Sequence, residues 1–124
     1  MEKKAEYQIS SSLNNGILEV VLTGKAIDMT YKKMGNEVDD IIKANNAKKA
    51  IIDVRDLEGR IEHTEIYRYV RNHSSFIYEI QAAVVDLPEN AHYATAVKNA
   101  GLSFTWFTDI DAARKWIKRK SKKM

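Results

Sequence analysis

The chain has 124 residues, 44% apolar and 30% charged, with one proline and five glycines, which fits a single soluble globular domain and excludes a fibrous or disordered one. It has no cysteine, which rules out disulfides, thiolate metal sites and thiol catalysis and allows a reducing compartment, here expected to be the cytoplasm. Its formal charge of +3 belongs to the end of the chain: Lys115, Lys118, Arg119, Lys120, Lys122 and Lys123 are six of the twenty basic residues, and the fourteen before them face seventeen acidic ones, so this is a mildly acidic domain with a basic tail.

In chain order, residues 5–12 alternate loosely, with Tyr7 and Ile9 against Gln8 and Ser10. Asn14-Asn15-Gly16 is a turn signal, because Asn and Gly tolerate positive φ. A strand over 17–23 follows, so the two predict an antiparallel hairpin. Asp28 opens a helix running to about Asn45, with Tyr31, Met34, Val38, Ile41 and Ile42 on one face. Residues 50–54 form a near-continuous apolar run, which suits a strand covered on both faces. A charged loop over 55–60 follows, closed by Gly59. Residues 61–76 read as a second helix with Ile66, Tyr69, Val70 and His73 on one face. A buried strand is expected over 80–85, and Pro88 suits the first turn of a third helix ending near Ala100. Gly101 then precedes a fifth strand over 102–107. Thr108-x-x-Asp111 resembles a capping box and opens a last helix that buries Ile110, Ala113, Trp116 and Ile117.

The order is ββαβαβαβα, which predicts an α/β domain: a five-stranded, mostly parallel sheet with an N-terminal antiparallel hairpin and helices packed on it. One domain is expected over residues 1–124, with 118–124 a basic, fraying tail. Residues 1–7 lack the apolar segment of a secretory signal, and no apolar run approaches the ~20 residues that span a bilayer.

In such sheets ligands bind beyond the carboxyl ends of the parallel strands. Segments 55–60, 86–89 and 108–109 reach that edge, and the first is the richest, with Asp53, Asp56 and Glu58 close to Arg55 and Arg60. Paired carboxylates do acid–base work only when one pKa is shifted, and two neighbouring arginines favour both staying ionised, so no catalytic residue is assigned. His63, His73 and His92 form no i,i+4 pair or HExxH motif, so no metal is expected; Glu62 and Glu65 beside His63 are the one suggestive grouping. No glycine-rich phosphate motif or GxSxG elbow occurs, so no cofactor is expected. The basic tail could touch phosphates, but a basic last turn also suits the helix dipole and the body is acidic, which argues against nucleic acid as partner. Tyr67 and Tyr69 cannot both face inward, so one lies exposed near Arg68 and Arg71 as a protein-contact patch.

Three phrases carry a resemblance: 51–59 (Ile-Ile-Asp-Val-Arg-Asp-Leu-Glu-Gly), 82–85 (Ala-Ala-Val-Val) and 107–117, with Asn99-Ala100-Gly101 before the fifth strand. With the element order, they make residues 17–117 similar to the STAS-like superfamily, and more closely to its SpoIIAA-like (STAS/SEC14-like) bacterial branch. The resemblance implies a small cytoplasmic domain that works by binding. In anti-anti-sigma factors of this kind, a serine between the third strand and second helix is phosphorylated by a partner kinase. Here residues 57–65 hold no serine; Thr64 is the only hydroxyl, and Glu62 and Glu65 would repel a phosphate on it. Its simpler role is a helix cap.

The reading is therefore a non-enzymatic regulatory or protein-interaction module. Its binding surface is expected at Arg55, Asp56, Glu58 and Arg60, and along the second helix at Thr64, Tyr67, Arg68 and Arg71. One alternative is a small-ligand domain for an apolar or anionic metabolite. A second is a hydrolytic or acid–base enzyme using Asp53, Asp56 or His63. A homodimer through an edge strand or the second helix is compatible with the pattern.

Overall fold

The computed structural model of the chain describes residues 7–26, 28–59, 80–100 and 104–119, with backbone alone at 28–31, 97, 99 and 100. The strands are β1 (Tyr7–Asn14), β2 (Ile17–Lys25), β3 (Lys49–Glu58), β4 (Gln81–Val85) and β5 (Thr105–Phe107). The helices are α1 (Asp28–Ala44), α2 (Ala91–Ala100, preceded by a 3₁₀ turn at Pro88–Asn90) and α3 (Ile110–Arg119). The helix expected over 61–76, with Thr64, Tyr67, Arg68 and Arg71, lies outside the described residues, as does Arg60.

The strands form one sheet in the order β1-β2-β3-β4-β5. β1 and β2 pair antiparallel, and β3, β4 and β5 each add in parallel. This is the sheet expected from the sequence. The hairpin is closed by Asn15 and Gly16, at φ 55° and 82°. Positive φ at both positions defines a type I′ turn, whose twist matches that of the strands it joins.

α1 ends in a Schellman motif. Asn46 takes φ 51°, while Ala47 N–H donates to the Ile42 carbonyl and Asn46 N–H to that of Lys43. Ala47 and Ile42 are both buried, so the motif also carries its apolar contact.

Alternation along the strands divides the core into two layers. On one face Leu18, Val20 and Leu22 of β2 and Ala50 of β3 pack with Met34, Val38 and Ile42 of α1. On the other, Ile51 of β3 and Ala83 and Val85 of β4 pack with Ala113 and Ile117 of α3. The sheet is thus covered on both faces, which is why residues 50–54 of β3 and 82–85 of β4 read as near-continuous apolar runs. Phe107 and Trp116 close the second layer, with ring centroids 5.7 Å apart.

Two local expectations are corrected. The third strand does not end at Val54 but runs to Glu58, because β2 keeps pairing with it as far as Lys25. The cap of α3 is Asp109, not Thr108. Its Oδ2 accepts the Ala112 N–H at 3.1 Å, the third-residue amide that an N-cap side chain serves.

Candidate functional site

β3 carries the feature that shapes the carboxyl edge. Val21 pairs with Asp53 but Thr23 with Asp56, so two steps on β2 match three on β3. The extra residue is a β-bulge between Asp53 and Asp56. It also reverses the alternation: Ala50 lies in the α1 layer from an even position and Leu57 from an odd one.

The Asp53 side chain fastens the bulge. Its Oδ1 accepts the Arg55 backbone N–H at 3.1 Å and Arg55 Nε at 3.0 Å. Its Oδ2 accepts Arg55 Nη2 at 2.8 Å. One carboxylate thus ties down the main chain of the bulge and forks the guanidinium that follows. Burial pushes the Asp53 carboxyl up, but the bonds from the Arg55 side chain and backbone and the charges of Arg55 and Arg114 outweigh it, so its pKa is lowered. The Arg55 guanidinium is raised by its bond to Asp53, against burial, with help from the charges of Asp53, Asp56 and Asp109. Asp53 is therefore an ionised structural acceptor. Nothing in this pair supplies a base poised near neutrality.

Gly59 ends the strand. Its φ is +92°, and a Cβ there would collide with the Ala26 carbonyl oxygen. Ala26 N–H donates to the Glu58 carbonyl at 2.9 Å, so the ends of β2 and β3 close on each other. The charged segment expected as a loop over 55–60 is thus held strand up to Glu58. Of the residues assigned to binding from sequence, Arg55 is half-buried while Asp56 and Glu58 are exposed.

The second segment at this edge is also built into the fold. Asp86 is buried, and its Oδ1 accepts the Leu87 N–H at 2.7 Å and the Asn90 side-chain amide at 3.1 Å. Its own N–H donates to the Phe107 carbonyl at 3.0 Å. Leu87 stands out beside it, 37% exposed. Among the described residues the edge presents Asp56, Glu58, Glu89 and Asp109 to solvent against Arg55 and Lys25, an acidic rim with one apolar point.

Sequence reasoning missed the ties across the sheet. Arg114 of α3 forks Glu19 of β2, with Nε at 2.7 Å from Oε2 and Nη2 at 2.9 Å from Oε1. Lys49 Nζ donates at 2.9 Å to the Ile117 carbonyl near the end of α3. These partners are 95 and 68 residues apart, so no local pattern announces them. Shallow depressions lie elsewhere. One is between β1 and α1 (Tyr7, Ile9, Lys33, Glu37, Asp40 and Ile41). Another lies under α3 at the amino ends of β2 and β3, and a third between α2 and β5. Among the described residues, no group of three His, Asp or Glu side chains could hold a metal ion, and no helix is long and apolar enough to cross a membrane.

No family model matches the sequence, and no curated protein does. Solved structures do match. An anti-sigma factor antagonist from Mycobacterium paratuberculosis superposes with a TM-score of 0.65 at 12% identity, over 95% of this chain and 99% of its own. An uncharacterised protein with a SpoIIAA-like fold from Shewanella loihica superposes at 0.57 with 19% identity, over 94% and 98%.

The fold is SpoIIAA-like. At these identities the likeness concerns backbone architecture alone.

Proposed function

We propose that this chain is a non-enzymatic regulatory module that binds a protein partner at the carboxyl edge of its parallel strands. The contact set is Arg55, Asp56 and Glu58, joined by Arg60, Thr64, Tyr67, Arg68 and Arg71. The observation that carries the reading is the bulge. It holds the Arg55 guanidinium with a bidentate carboxylate at this edge, while the Asp53 carboxyl is held ionised and so unsuited to acid–base chemistry. A pre-fixed arginine loses little freedom on binding, which suits a recognition anchor. The fold likeness to an anti-sigma factor antagonist supports a protein as partner. The acidic rim around Leu87 favours a partner surface that offers basic groups around an apolar pocket.

The test is affinity capture with the wild-type chain, then titration of each captured protein against Arg55→Ala, Asp56→Ala and Arg68→Ala. Binding should weaken by about tenfold or more for at least one variant, as truncation of an interface anchor does. Unchanged affinity for every partner in all three variants refutes the site.

A further inference from the structure

We infer that β1 is a self-association edge, across which a second copy of this chain pairs antiparallel to build a continuous sheet about a two-fold axis at Ser11. This goes beyond the proposed function, because it uses the side of the sheet and not the strand ends.

Three observations carry it. First, β1 ends the strand order, and among the described residues no strand pairs with its outer side. Natural edges are guarded by charge, proline, bulges or brevity. β1 has eight residues, Tyr-Gln-Ile-Ser-Ser-Ser-Leu-Asn, with no charge and no proline. It pairs with β2 without a register break. Second, Leu13 is 46% exposed on this edge. Tyr7 and Ile9 pack against the α1 layer, so alternation puts Ser11 and Leu13 on that face too. Third, a shallow groove runs beside the edge on the same face, lined by Tyr7, Ile9, Lys33, Glu37, Asp40 and Ile41.

A two-fold at Ser11 satisfies all three. Such an axis is perpendicular to the sheet, so each face continues into the same face of the second copy. Ile9 then lies opposite Leu13 of the second copy, and Leu13 opposite its Ile9. Both exposed leucines are covered by an apolar cross-strand pair, the unit that stabilises antiparallel sheets. The uncharged edge brings no like charges together. Each groove lies on the α1 side, so the axis sets both grooves on one face of the continuous sheet. The same patch serves both copies, as a closed isologous dimer requires.

The test uses sedimentation velocity and cross-linking on the full chain. The wild type is expected to sediment at twice the 14.2 kDa of one chain at about 100 μM, with a Kd of about 10 μM or tighter. Leu13→Lys should weaken the dimer at least tenfold with an unchanged circular dichroism spectrum. The chain has no cysteine, so a single Ser11→Cys should form an intermolecular disulfide under mild oxidation, because paired Cα atoms sit within disulfide reach. Asn36→Cys, exposed on α1, should not. If Leu13→Lys fails to fold, the cysteine pair decides alone. A wild type that stays monomeric at about 100 μM, a dimer that survives Leu13→Lys, or a Ser11→Cys that cross-links no better than Asn36→Cys overturns the inference.

Discussion

Replacing Asp53 by alanine should cost more stability than replacing Arg55, although the two side chains share one ion pair. Asp53 accepts three hydrogen bonds, one from a backbone N–H in the bulge and two from the guanidinium. The side chain of Asp53 is 13% exposed and that of Arg55 35%. An ion pair this wet contributes about 0–1 kcal/mol, so Arg55→Ala should lose about 0.5–1 kcal/mol and keep the bulge. Asp53→Ala loses the pair and also leaves the Arg55 N–H without its charged acceptor. A hydrogen bond to a charged group contributes about 1.5–3 kcal/mol, so the total should reach about 2–3 kcal/mol. At this chain length that lowers Tm by about 7–12 °C, whereas Arg55→Ala should lower it by about 2–4 °C. Asp53→Asn keeps a neutral oxygen for the N–H and should fall between, near 1 kcal/mol. The pH dependence follows from the lowered Asp53 pKa. Between its depressed folded value and the ordinary value near 4, the unfolded chain binds the proton and the folded one does not. Stability from this group is therefore complete above about pH 4 and is lost as pH falls through the folded value, and Asp53→Asn should remove that acid limb. Urea unfolding at neutral pH and across the acid range measures both effects. Equal losses for Asp53→Ala and Arg55→Ala, or an acid limb unchanged in Asp53→Asn, would refute the clamp.

Gly59→Ala should destabilise by about 3 kcal/mol or more, because the new methyl meets the Ala26 carbonyl at a φ of +92°; thermal unfolding reads it, and a loss under 1 kcal/mol would show that the β2 and β3 ends separate freely. Ile117→Ala empties a fully buried position under α3 and should cost about 2–5 kcal/mol in urea unfolding, whereas Arg114→Ala, on the wet side of the same helix, should cost under about 1 kcal/mol. Tyr7 is raised to about 12 by burial and by its 2.7 Å bond to Glu37. Its contribution to stability should be complete below the ordinary tyrosine value near 10 and be lost as pH rises through the folded value. Ultraviolet tyrosinate titration of wild type minus Tyr7→Phe should show the late-ionising group, and a difference midpoint near 10 would count against the bond.

Most of the fold was legible because its signals are local. The Asn15-Gly16 turn, the spacing of Met34, Val38 and Ile42, and the apolar runs of β3 and β4 each follow from backbone period and turn chemistry. The bulge was not legible. Residues 53–58 mix charge with apolar positions, and such a pattern resembles a loop until one knows that Asp53 repairs the ladder and resets the alternation, so that Leu57 returns to the core. An Asp two residues before an Arg on a strand that outlasts its apolar run is the signal that could have found it. The cap of α3 was misread by one residue because both Thr108 and Asp109 can cap, and only geometry chooses. Five of the eight residues of the expected site, Arg60, Thr64, Tyr67, Arg68 and Arg71, lie outside the described residues and stand as proposal.

The bulge also bears on the proposal of recognition over chemistry at this edge. Seen in sequence, three carboxylates at a strand end could be acid, base and neighbour. In the fold they have separate fates. Asp53 is turned inward and spent on the backbone and Arg55. Asp56 and Glu58 stand exposed beyond it, on a strand that ends where Gly59 meets Ala26. A catalytic pair needs two groups within reach of one substrate and pKa values driven apart around neutrality. Here the Asp53 carboxyl is lowered, away from neutrality, and its partner is an arginine that keeps its proton. What this arrangement provides is a charged rim in which the Arg55 side chain is fixed by Asp53. A pre-fixed arginine is what the proposed contact needs, and it makes Asp53 the residue whose loss should disturb both the stability of the domain and the position of the proposed contact arginine, Arg55.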